Sequence, residues 1–221
     1  MINNMKLILN KDNTFCISLY SKEDRWQRMQ ERFTKFNIDV TRFKAADNEK
    51  DLTVPYVNYI NTLQKCCTQS HINLWKHIVN NNLEYAFILE DDAMFDKYWK
   101  EKLNVLTENF LDPEWHAIFL NASEPMSPIN TWMICKEQFL TGGYIISNKG
   151  AKILLDSFKE CYCMIDWMTS RLQLLGHSYC VFPWLIIQEG RESTIGSNVD
   201  ADHAKVVRCL NDINYSLDNY I

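Results

Sequence analysis

Short runs rich in apolar residues alternate along this chain with segments in which apolar residues recur every three or four positions. A short apolar run bounded by polar residues predicts a buried strand. The wider spacing predicts an amphipathic helix with one buried face. The predicted strands cover residues 15–19, 40–43, 85–89, 117–120 and 144–146, and the predicted helices cover 26–36, 63–78, 99–110, 151–158 and 165–175.

Local signals predict where three of these helices begin or end. Ser21, with Asp24 three residues later, resembles a capping box and predicts the start of the first helix. Asparagine tolerates the left-handed conformation, so the run at residues 80–82 predicts a helix end, and Gly176 predicts another. Because strands alternate with helices, we expect an α/β fold with a mainly parallel sheet. No linker divides the chain, so one domain over residues 1–221 is expected.

Composition narrows the classes of protein that fit this chain. It has 221 residues, of which 47% are hydrophobic, so a folded domain is expected rather than disorder. A net charge of -5 without a basic cluster argues against a nucleic-acid partner. No apolar run is long enough to span a bilayer, and residues 1–10 lack a signal-peptide core. We therefore expect a cytoplasmic protein whose eight cysteines are reduced.

The strand predicted over residues 85–89 runs directly into three carboxylates, Glu90, Asp91 and Asp92. Their charges repel one another, and a hard divalent cation, which prefers carboxylate oxygens, would offset that repulsion. Open α/β sheets bind ligands just beyond the carboxyl ends of their strands. The stretch therefore suggests a metal-assisted site for a phosphorylated ligand. The structural alternative is a solvated acidic loop.

Five stretches of the chain, this one among them, together resemble glycosyltransferase family 25, which includes bacterial lipooligosaccharide galactosyltransferases and collagen galactosyltransferases. They follow the family's order and extend from about residue 15 to residue 197. Two positions depart from the family's pattern, because Ser18 stands where it usually has Asn and Cys66 where it usually has Gly. The stretches are 17–19 with 24–25 and 45–47, 67–71 with Trp75, 89–92, 142–147 with 150–151, and 165–166 with 182–183 and 188–193.

The resemblance implies a GT-A type fold, in which a Rossmann-like, mainly parallel sheet is flanked by helices. It also implies an enzyme that transfers a hexose from a UDP-sugar, most often UDP-galactose, with inversion of the anomeric centre. The implied cofactor is Mn²⁺ or Mg²⁺. The implied acceptor is a hydroxyl of a glycan or of a protein side chain such as hydroxylysine.

The acidic triplet stands where the family carries its variant of the Asp-any-Asp metal motif. Asp92 is therefore the expected direct ligand, and Glu90 or Asp91 the expected second contact, to the metal or to ribose. Alternate side chains of a strand share a face, so Glu90 and Asp92 can point together. A metal that bridges the diphosphate oxygens acts as the Lewis acid that takes up charge on the leaving group.

The donor is expected at the turn that follows the first strand, where a helix N-terminus favours anions. Ser18, Leu19 and Arg25 are the candidates there, and Asp47 is a candidate for the ribose or the base. The forked guanidinium of Arg25 suits a phosphate, and a surface arginine is the alternative. For Asp47 the alternative is a helix cap or a turn residue.

Further donor contacts are expected from Ser70 and His71 on the second helix, and from Gly142 and Gly143 before the strand at 144–146. Ser70 and His71 either reach the donor or orient the acidic triplet, and hydrogen-bonded packing is the alternative for His71. Paired glycines let a ligand approach the backbone closely, and an ordinary turn is the alternative. Trp75 is expected in the core.

Asp166 is the expected general base, because an inverting transfer needs a carboxylate that takes the proton from the attacking hydroxyl. It opens a predicted helix, so a helix N-cap is its structural alternative. Trp167, directly beside it, either stacks on the acceptor or packs within the fold.

The C-terminal part adds three residues that resemble the family's last segment, Gln188, Glu189 and Ser193, and one weak metal candidate, His203. A solvated tail is the favoured interpretation of His203. Two other functions remain open. One is another metal-dependent phosphoryl enzyme, although no phosphate-binding Gly-rich loop follows the first strand. The other is a non-catalytic glycan-binding module with a degenerate transferase fold, against which the intact carboxylates argue.

Overall fold

The computed structural model describes residues 7–108, 110, 112–191 and 199–221, with the backbone alone for residues 199–202. Strands and helices alternate along most of this length. The strands are β1 (Thr14–Ser18), β2 (Thr41–Lys44), β3 (Tyr85–Glu90), β4 (Ala93–Phe95), β5 (Ala117–Phe119), β6 (Met133–Ile134), β7 (Gly143–Ser147), β8 (Ser178–Cys180) and β9 (Ile186–Gln188). The helices are α1 (Glu23–Phe36), α2 (Thr62–Asn80), α3 (Trp99–Glu108), α4 (Asn148–Phe158), α5 (Ile165–Gln173) and α6 (Val199–Asn211).

Seven strands form one sheet in the order β2, β1, β3, β7, β5, β8, β6. β1 pairs in parallel with β2 and β3, and β5 pairs in parallel with β8. β7 and β6 run antiparallel to their neighbours. Five of the seven strands therefore point the same way, which confirms the predicted α/β class with a mainly parallel sheet. β4 and β9 form a separate two-stranded sheet.

Helices cover both faces of the large sheet and enclose two cores. Successive side chains of a strand point to opposite faces, so each central strand contributes to both cores. In β3, Ile88 packs in one core with Trp75 of α2, while Phe87 packs in the other core with Met29 of α1. All four side chains are buried, which confirms the prediction that Trp75 belongs to the core.

The start of α1 differs from the prediction. α1 begins at Glu23 after Lys22, and no side chain caps it, so the predicted capping box of Ser21 and Asp24 is wrong. Glu23 and Asp24 instead place two carboxylates in the first turn, where negative charge offsets the helix dipole. Ser21 therefore does not cap the helix, and it lines the cavity described below.

The two predicted helix ends are confirmed. α2 ends at Asn80, and Asn82 adopts a φ of 51° in the turn that follows. Gly176 adopts a φ of 81° shortly after α5 ends. Both positions use the left-handed conformation, which asparagine and glycine reach at lower cost than other residues. No helix in the described residues is long and apolar enough to cross a membrane.

One edge of the sheet gathers the ends of several strands. The carboxyl ends of β1 and β3 meet there, with Ile17 paired to Glu90. β7 runs in the opposite direction, so its first residue, Gly143, lies at the same edge and pairs with Leu89. The topology therefore brings residues from three of the five family-like stretches together.

Candidate active site

A cavity of about 810 Å³ opens at this edge of the sheet. Its volume is typical of a site for a small-molecule ligand. Gly142, Gly143 and Asp166 are not among the residues that line it. The lining includes the other residues predicted for metal or donor binding, which are Ser18, Leu19, Arg25, Asp47, Ser70, His71, Glu90, Asp91 and Asp92.

The acidic triplet forms the end of β3 and the turn that follows it. Glu90 is the last residue of β3, and Asp91 and Asp92 make the turn into β4. Arg25 of α1 reaches this turn, with its Nη2 2.7 Å from Asp91 Oδ1 and 3.2 Å from Asp92 Oδ2. Its side chain is only 11% exposed, so Arg25 is not a surface arginine. Its contact with a donor phosphate stays a prediction.

Of the three carboxylates, that of Asp92 has the fewest partners to offset its charge. Burial, and then the charge of Glu90, raises the pKa of Asp92 to about 7, although Arg25 opposes the rise. The Asp92 Oδ1 atom is buried and has no hydrogen-bond partner among the described residues. A buried carboxylate oxygen of this kind is costly unless a donor or a cation completes it. Asp92 therefore fits the expected role of a ligand to a hard divalent cation.

The turn after β1 lies next to the acidic turn, because β1 and β3 are neighbouring parallel strands. Burial raises the pKa of Asp91, while the charge of Arg25, the Ser18 hydroxyl and the Leu19 backbone oppose the rise. Arg42 of β2 donates to the Leu19 carbonyl at 3.1 Å and to Ser18 Oγ at 3.3 Å. Arg42, which the sequence analysis did not identify, therefore holds the turn that is predicted to bind the donor.

Ser70 supports the segment that carries Asp47. Its hydroxyl accepts from the Ala46 N–H at 2.9 Å and donates to the Cys66 carbonyl at 2.8 Å. Asp47 follows directly and lies exposed in the cavity, where its own N–H donates to Asp51 Oδ2 at 3.0 Å. The contacts of Ser70 are thus with the protein backbone, and Asp47 presents its carboxylate to the cavity.

A chain of buried hydrogen bonds leads from the core to Glu90. The Trp75 indole N–H can only donate, and it donates to the Tyr144 hydroxyl at 3.0 Å. That hydroxyl lies 2.8 Å from His71 Nδ1, and His71 Nε2 lies 3.2 Å from Glu90 Oε1. Because the Tyr144 oxygen accepts from Trp75, its own proton is directed to His71 Nδ1. In the tautomer that accepts this proton at Nδ1, His71 donates from Nε2 to Glu90.

These contacts keep Glu90 ionised. Burial alone would raise its pKa, but hydrogen bonds from His71 and Thr141, with the charge of Arg25, hold the pKa below its usual value. Thr141 Oγ1 donates to Glu90 Oε1 at 2.7 Å. Thr141 was not a predicted site residue, although its place directly before the paired glycines is a sequence signal for a role in the site.

A second group of possible ligands lies beside Glu90. Cys67, His71 and Glu90 each place a ligand atom within 4.8 Å of the other two. Sulfur and nitrogen ligands of this kind suit zinc better than Mn²⁺ or Mg²⁺. Both nitrogens of His71 are already hydrogen bonded, and burial raises the pKa of the Cys67 thiol, which keeps it protonated. The carboxylates of the acidic turn are therefore the better fit to a hard cation.

Asp166 lies in the first turn of α5, next to the cavity wall. The N-cap of α5 is Met164, so Asp166 is not the cap. The carboxylate Oδ1 lies 3.4 Å from Thr141 Oγ1, and Thr141 directly follows Leu140, a residue that lines the cavity. Burial, and then the charge of Glu90, raises the pKa of Asp166 to about 6. Such a pKa suits a group that takes up and releases a proton near neutral pH.

The paired glycines pack against other side chains of the protein. A Cβ on Gly142 would lie 2.8 Å from Asn121 Oδ1, and one on Gly143 would lie 2.5 Å from Ile186 Cδ1. Close packing within the fold therefore accounts for glycine at both positions. Their predicted contact with the donor stays a prediction.

A second charged cluster joins α1 to Glu189, the residue after β9. Glu189 Oε1 accepts from Arg32 Nη2 at 2.5 Å and from Arg28 Nε at 3.2 Å. With Arg25, these arginines follow one another at intervals of three and four residues on α1, which places them on one face. The spacing is visible in the sequence, so helical periodicity of the basic residues could have identified Arg28 and Arg32.

The last predicted residues fall on β9, on α6 and outside the described residues. Gln188 Nε2 approaches Glu90 Oε2 at 3.5 Å. His203 lines the cavity with its Nδ1 buried, and it packs so closely on Gly190 that an added Cβ would collide with the imidazole. The interpretation of His203 as part of a solvated tail is therefore wrong. Ser193 lies outside the described residues.

Comparisons with known proteins give a family match. A model of glycosyltransferase family 25 (LPS biosynthesis protein) matches residues 11–169, which is most of the chain. The lipooligosaccharide biosynthesis protein lic2B of Haemophilus influenzae is 29% identical over 206 residues, which cover 80% of this chain and 76% of that protein.

Other relatives are much longer. Procollagen galactosyltransferase 1-B of Xenopus laevis is 29% identical over 175 residues, which cover 66% of this chain and 28% of that protein. Procollagen galactosyltransferase 2 of Homo sapiens is 27% identical over 170 residues, which cover 65% of this chain and 27% of that protein. The chain thus spans little more than a quarter of the length of these two relatives.

Proposed function

Because the chain belongs to glycosyltransferase family 25, we propose that it transfers a hexose from a UDP-sugar to an acceptor hydroxyl, with a divalent cation and with inversion. Galactose is the proposed hexose, since relatives include proteins named galactosyltransferases. One observation carries the proposal: an acidic turn that fits a cation lies beside a separate carboxylate with a pKa near neutrality. The first suits a diphosphate leaving group, and the second suits proton abstraction.

Two carboxylates of the acidic turn are proposed to bind the cation, and the third pairs with Arg25 of α1. Asp92 would bind the cation together with Glu90, because Asp92 Oδ1 is unpaired and Glu90 Oε2 has only a 3.5 Å contact with Gln188. When bound, the cation would neutralise charge on the leaving diphosphate. Mn²⁺ is the proposed ion, and Mg²⁺ shares its preference for carboxylate oxygens. Asp91 already pairs with Arg25 at 2.7 Å.

The donor is proposed to lie between the turn after β1 and Asp47. The α1 side of the cavity carries positive charge from Lys22, Arg25 and Arg28. Guanidinium groups recognise phosphate through paired hydrogen bonds, and a lysine adds a point charge. A diphosphate between this helix and the acidic turn therefore meets cations on both sides once a metal is bound.

Asp166 is the proposed base. Its pKa of about 6 leaves most of the carboxylate ionised at neutral pH. The Thr141 hydroxyl has one proton, which goes to Glu90 at 2.7 Å rather than to Asp166 at 3.4 Å. Asp166 therefore keeps lone pairs that can accept the proton of the attacking hydroxyl.

Calorimetric titration of UDP into the full chain, with and without Mn²⁺, tests this proposal. We expect binding that requires Mn²⁺ and that is lost in Asp92→Asn. The matched control is Asp156→Asn, the same chemical change at an exposed position of α4 outside the cavity. Hydrolysis of a panel of UDP-sugars would then identify the hexose.

Two outcomes would contradict the proposal. UDP binding that does not depend on Mn²⁺ would show that the proposed cation is not needed to bind the nucleotide. An absence of UDP binding in both conditions would favour a non-catalytic glycan-binding module or a site for a different nucleotide.

A further inference from the structure

The tryptophan beside the proposed base is exposed to solvent. All seven tryptophans lie in the described residues, and Trp167, which is 45% exposed, is the one whose side chain is exposed rather than buried or half-buried. It follows Asp166 directly in the first turn of α5. Large aromatic side chains that present a ring to solvent are frequent at binding sites, because they bury much area on contact with a ligand.

A second aromatic ring extends this surface. The Phe139 ring centroid lies 5.8 Å from that of Trp167, with the two ring planes at 56°. We call these two residues the aromatic ledge. Phe139 is followed by Leu140, which lines the cavity, and then by Thr141, whose Oγ1 lies 3.4 Å from Asp166 Oδ1. The ledge therefore borders both the cavity and the proposed base.

The backbone beside the ledge is strained. Leu140 has a φ of 82°, and Glu137 in the same segment has a φ of 53°. Residues with a Cβ rarely adopt this region, and such strain concentrates at functional sites. Leu140 lies between two residues that contact α5: the Phe139 ring packs against Trp167, and Thr141 Oγ1 lies 3.4 Å from Asp166 Oδ1.

We propose that the aromatic ledge is the acceptor subsite and that the acceptor is a saccharide whose pyranose ring lies against Trp167. This inference rests on the function proposed above. One face of a pyranose presents C–H groups, while its hydroxyls project from the edge, so an aromatic ring fits the face and polar groups fit the edge. A hydroxyl of a sugar placed there lies on the side of α5 that carries Asp166.

The charge on α5 favours a neutral sugar over a hydroxylysine side chain. Arg171 lies one helical turn after Trp167, on the same face of the helix, and is exposed. Its guanidinium repels an ammonium group but can donate hydrogen bonds to sugar hydroxyls. Arg171 therefore offers donors to a sugar hydroxyl, while its charge opposes the attraction of an ammonium group to Asp166.

Acceptor kinetics with the full chain, UDP-galactose and Mn²⁺ test the inference. The probes are methyl β-galactoside, methyl β-glucoside and a collagen-like peptide that contains hydroxylysine. In Trp167→Ala we expect the KM for a glycoside to rise about tenfold, equal to about 1.4 kcal/mol, with UDP affinity retained. Trp167→Phe should recover most of the loss. The control is Leu174→Ala, which removes another exposed apolar side chain, 52% exposed, at the far end of α5.

The outcomes separate this inference from the proposed function. An unchanged glycoside KM in Trp167→Ala, or use of the peptide in preference to both glycosides, would overturn the ledge while donor hydrolysis by the wild type still supported the transferase. If the wild type hydrolyses no UDP-sugar, NMR tests whether the aromatic ledge binds a glycoside. The Trp167 indole signal, assigned by its loss in Trp167→Phe, should shift when a methyl glycoside is added, and the absence of a shift would overturn the inference.

Discussion

Replacement of Asp92 by asparagine should make the metal-free protein more stable, although it should abolish transfer. The pKa of Asp92 is about 7 in the folded protein and about 3.9 in an unfolded chain. At about 1.4 kcal/mol for each pKa unit, the ionised carboxylate costs the fold at most about 4 kcal/mol. The side chain is 23% exposed, so solvent reduces this cost, and asparagine loses the 3.2 Å contact with Arg25. We therefore expect a net gain of about 1–2 kcal/mol.

The gain should depend on pH, because the folded-state pKa of Asp92 is raised. Below about pH 4 the carboxyl is protonated in both states and contributes nothing to stability. Between about pH 4 and 7 only the unfolded state ionises, so the free energy of unfolding of the wild type falls. Above about pH 7 the loss is constant. The advantage of Asp92→Asn at pH 5 should therefore be about a third of its advantage at pH 8.

Urea denaturation at pH 5 and pH 8, with a chelator present, measures this difference. A gain of about 1–2 kcal/mol corresponds to a rise in Tm of about 2–8 °C for a chain of this size. The exposed control Asp156→Asn should change stability by less than about 0.5 kcal/mol. Added Mn²⁺ should stabilise the wild type and not Asp92→Asn. A loss of stability in Asp92→Asn at pH 8, or an equal gain at both pH values, would refute the reasoning.

Three further predictions concern the proposed base and the buried hydrogen-bond chain. Asp166→Asn should lower kcat about 10²- to 10⁴-fold with little change in UDP affinity, measured by steady-state transfer and calorimetry, and a large loss of UDP binding would count against the base role. Because ionised Asp166 is the active form and its pKa is about 6, wild-type kcat should fall about tenfold for each pH unit below 6, and a flat profile from pH 5 to 8 would contradict this. Tyr144→Phe should lower the free energy of unfolding by about 2–4 kcal/mol, because it leaves the Trp75 N–H and His71 Nδ1 unpaired. Tyr162→Phe, which loses only a 3.3 Å bond to a carbonyl, should cost about 1 kcal/mol or less in the same denaturation assay.

Local patterns were enough to predict most of the fold. The apolar face of α2 and the buried run in β3 follow directly from side-chain periodicity, and the left-handed turn at Asn82 follows from the residue type. The start of α1 was missed because its N-terminal signal is the charge of Glu23 rather than a capping side chain. Sequence alone does not tell which of two compatible signals a helix uses.

The hydrogen bonds of the site depend on strand order, which local patterns do not carry. His71 meets Tyr144 because antiparallel β7 inserts beside β3, between two groups of parallel strands. The expectation of a mainly parallel sheet did not specify that insertion. Thr141 reaches Glu90 for the same reason, since it leads into β7 at the edge where β3 ends. The carboxylates were therefore predictable as residues, while their partners required the topology.

The distribution of partners around the acidic turn is itself an argument for a ligand. Glu90 accepts hydrogen bonds from His71 and Thr141, and Asp91 pairs with Arg25. Asp92 shares Arg25 through one oxygen and leaves the other buried and unpaired. An asparagine would remove the charge without changing the size of the side chain, so folding stability alone does not explain an aspartate there. A bound cation would offset the electrostatic cost of Asp92, and a cation held by Glu90 and Asp92 beside a basic helix is one that would also bind a diphosphate.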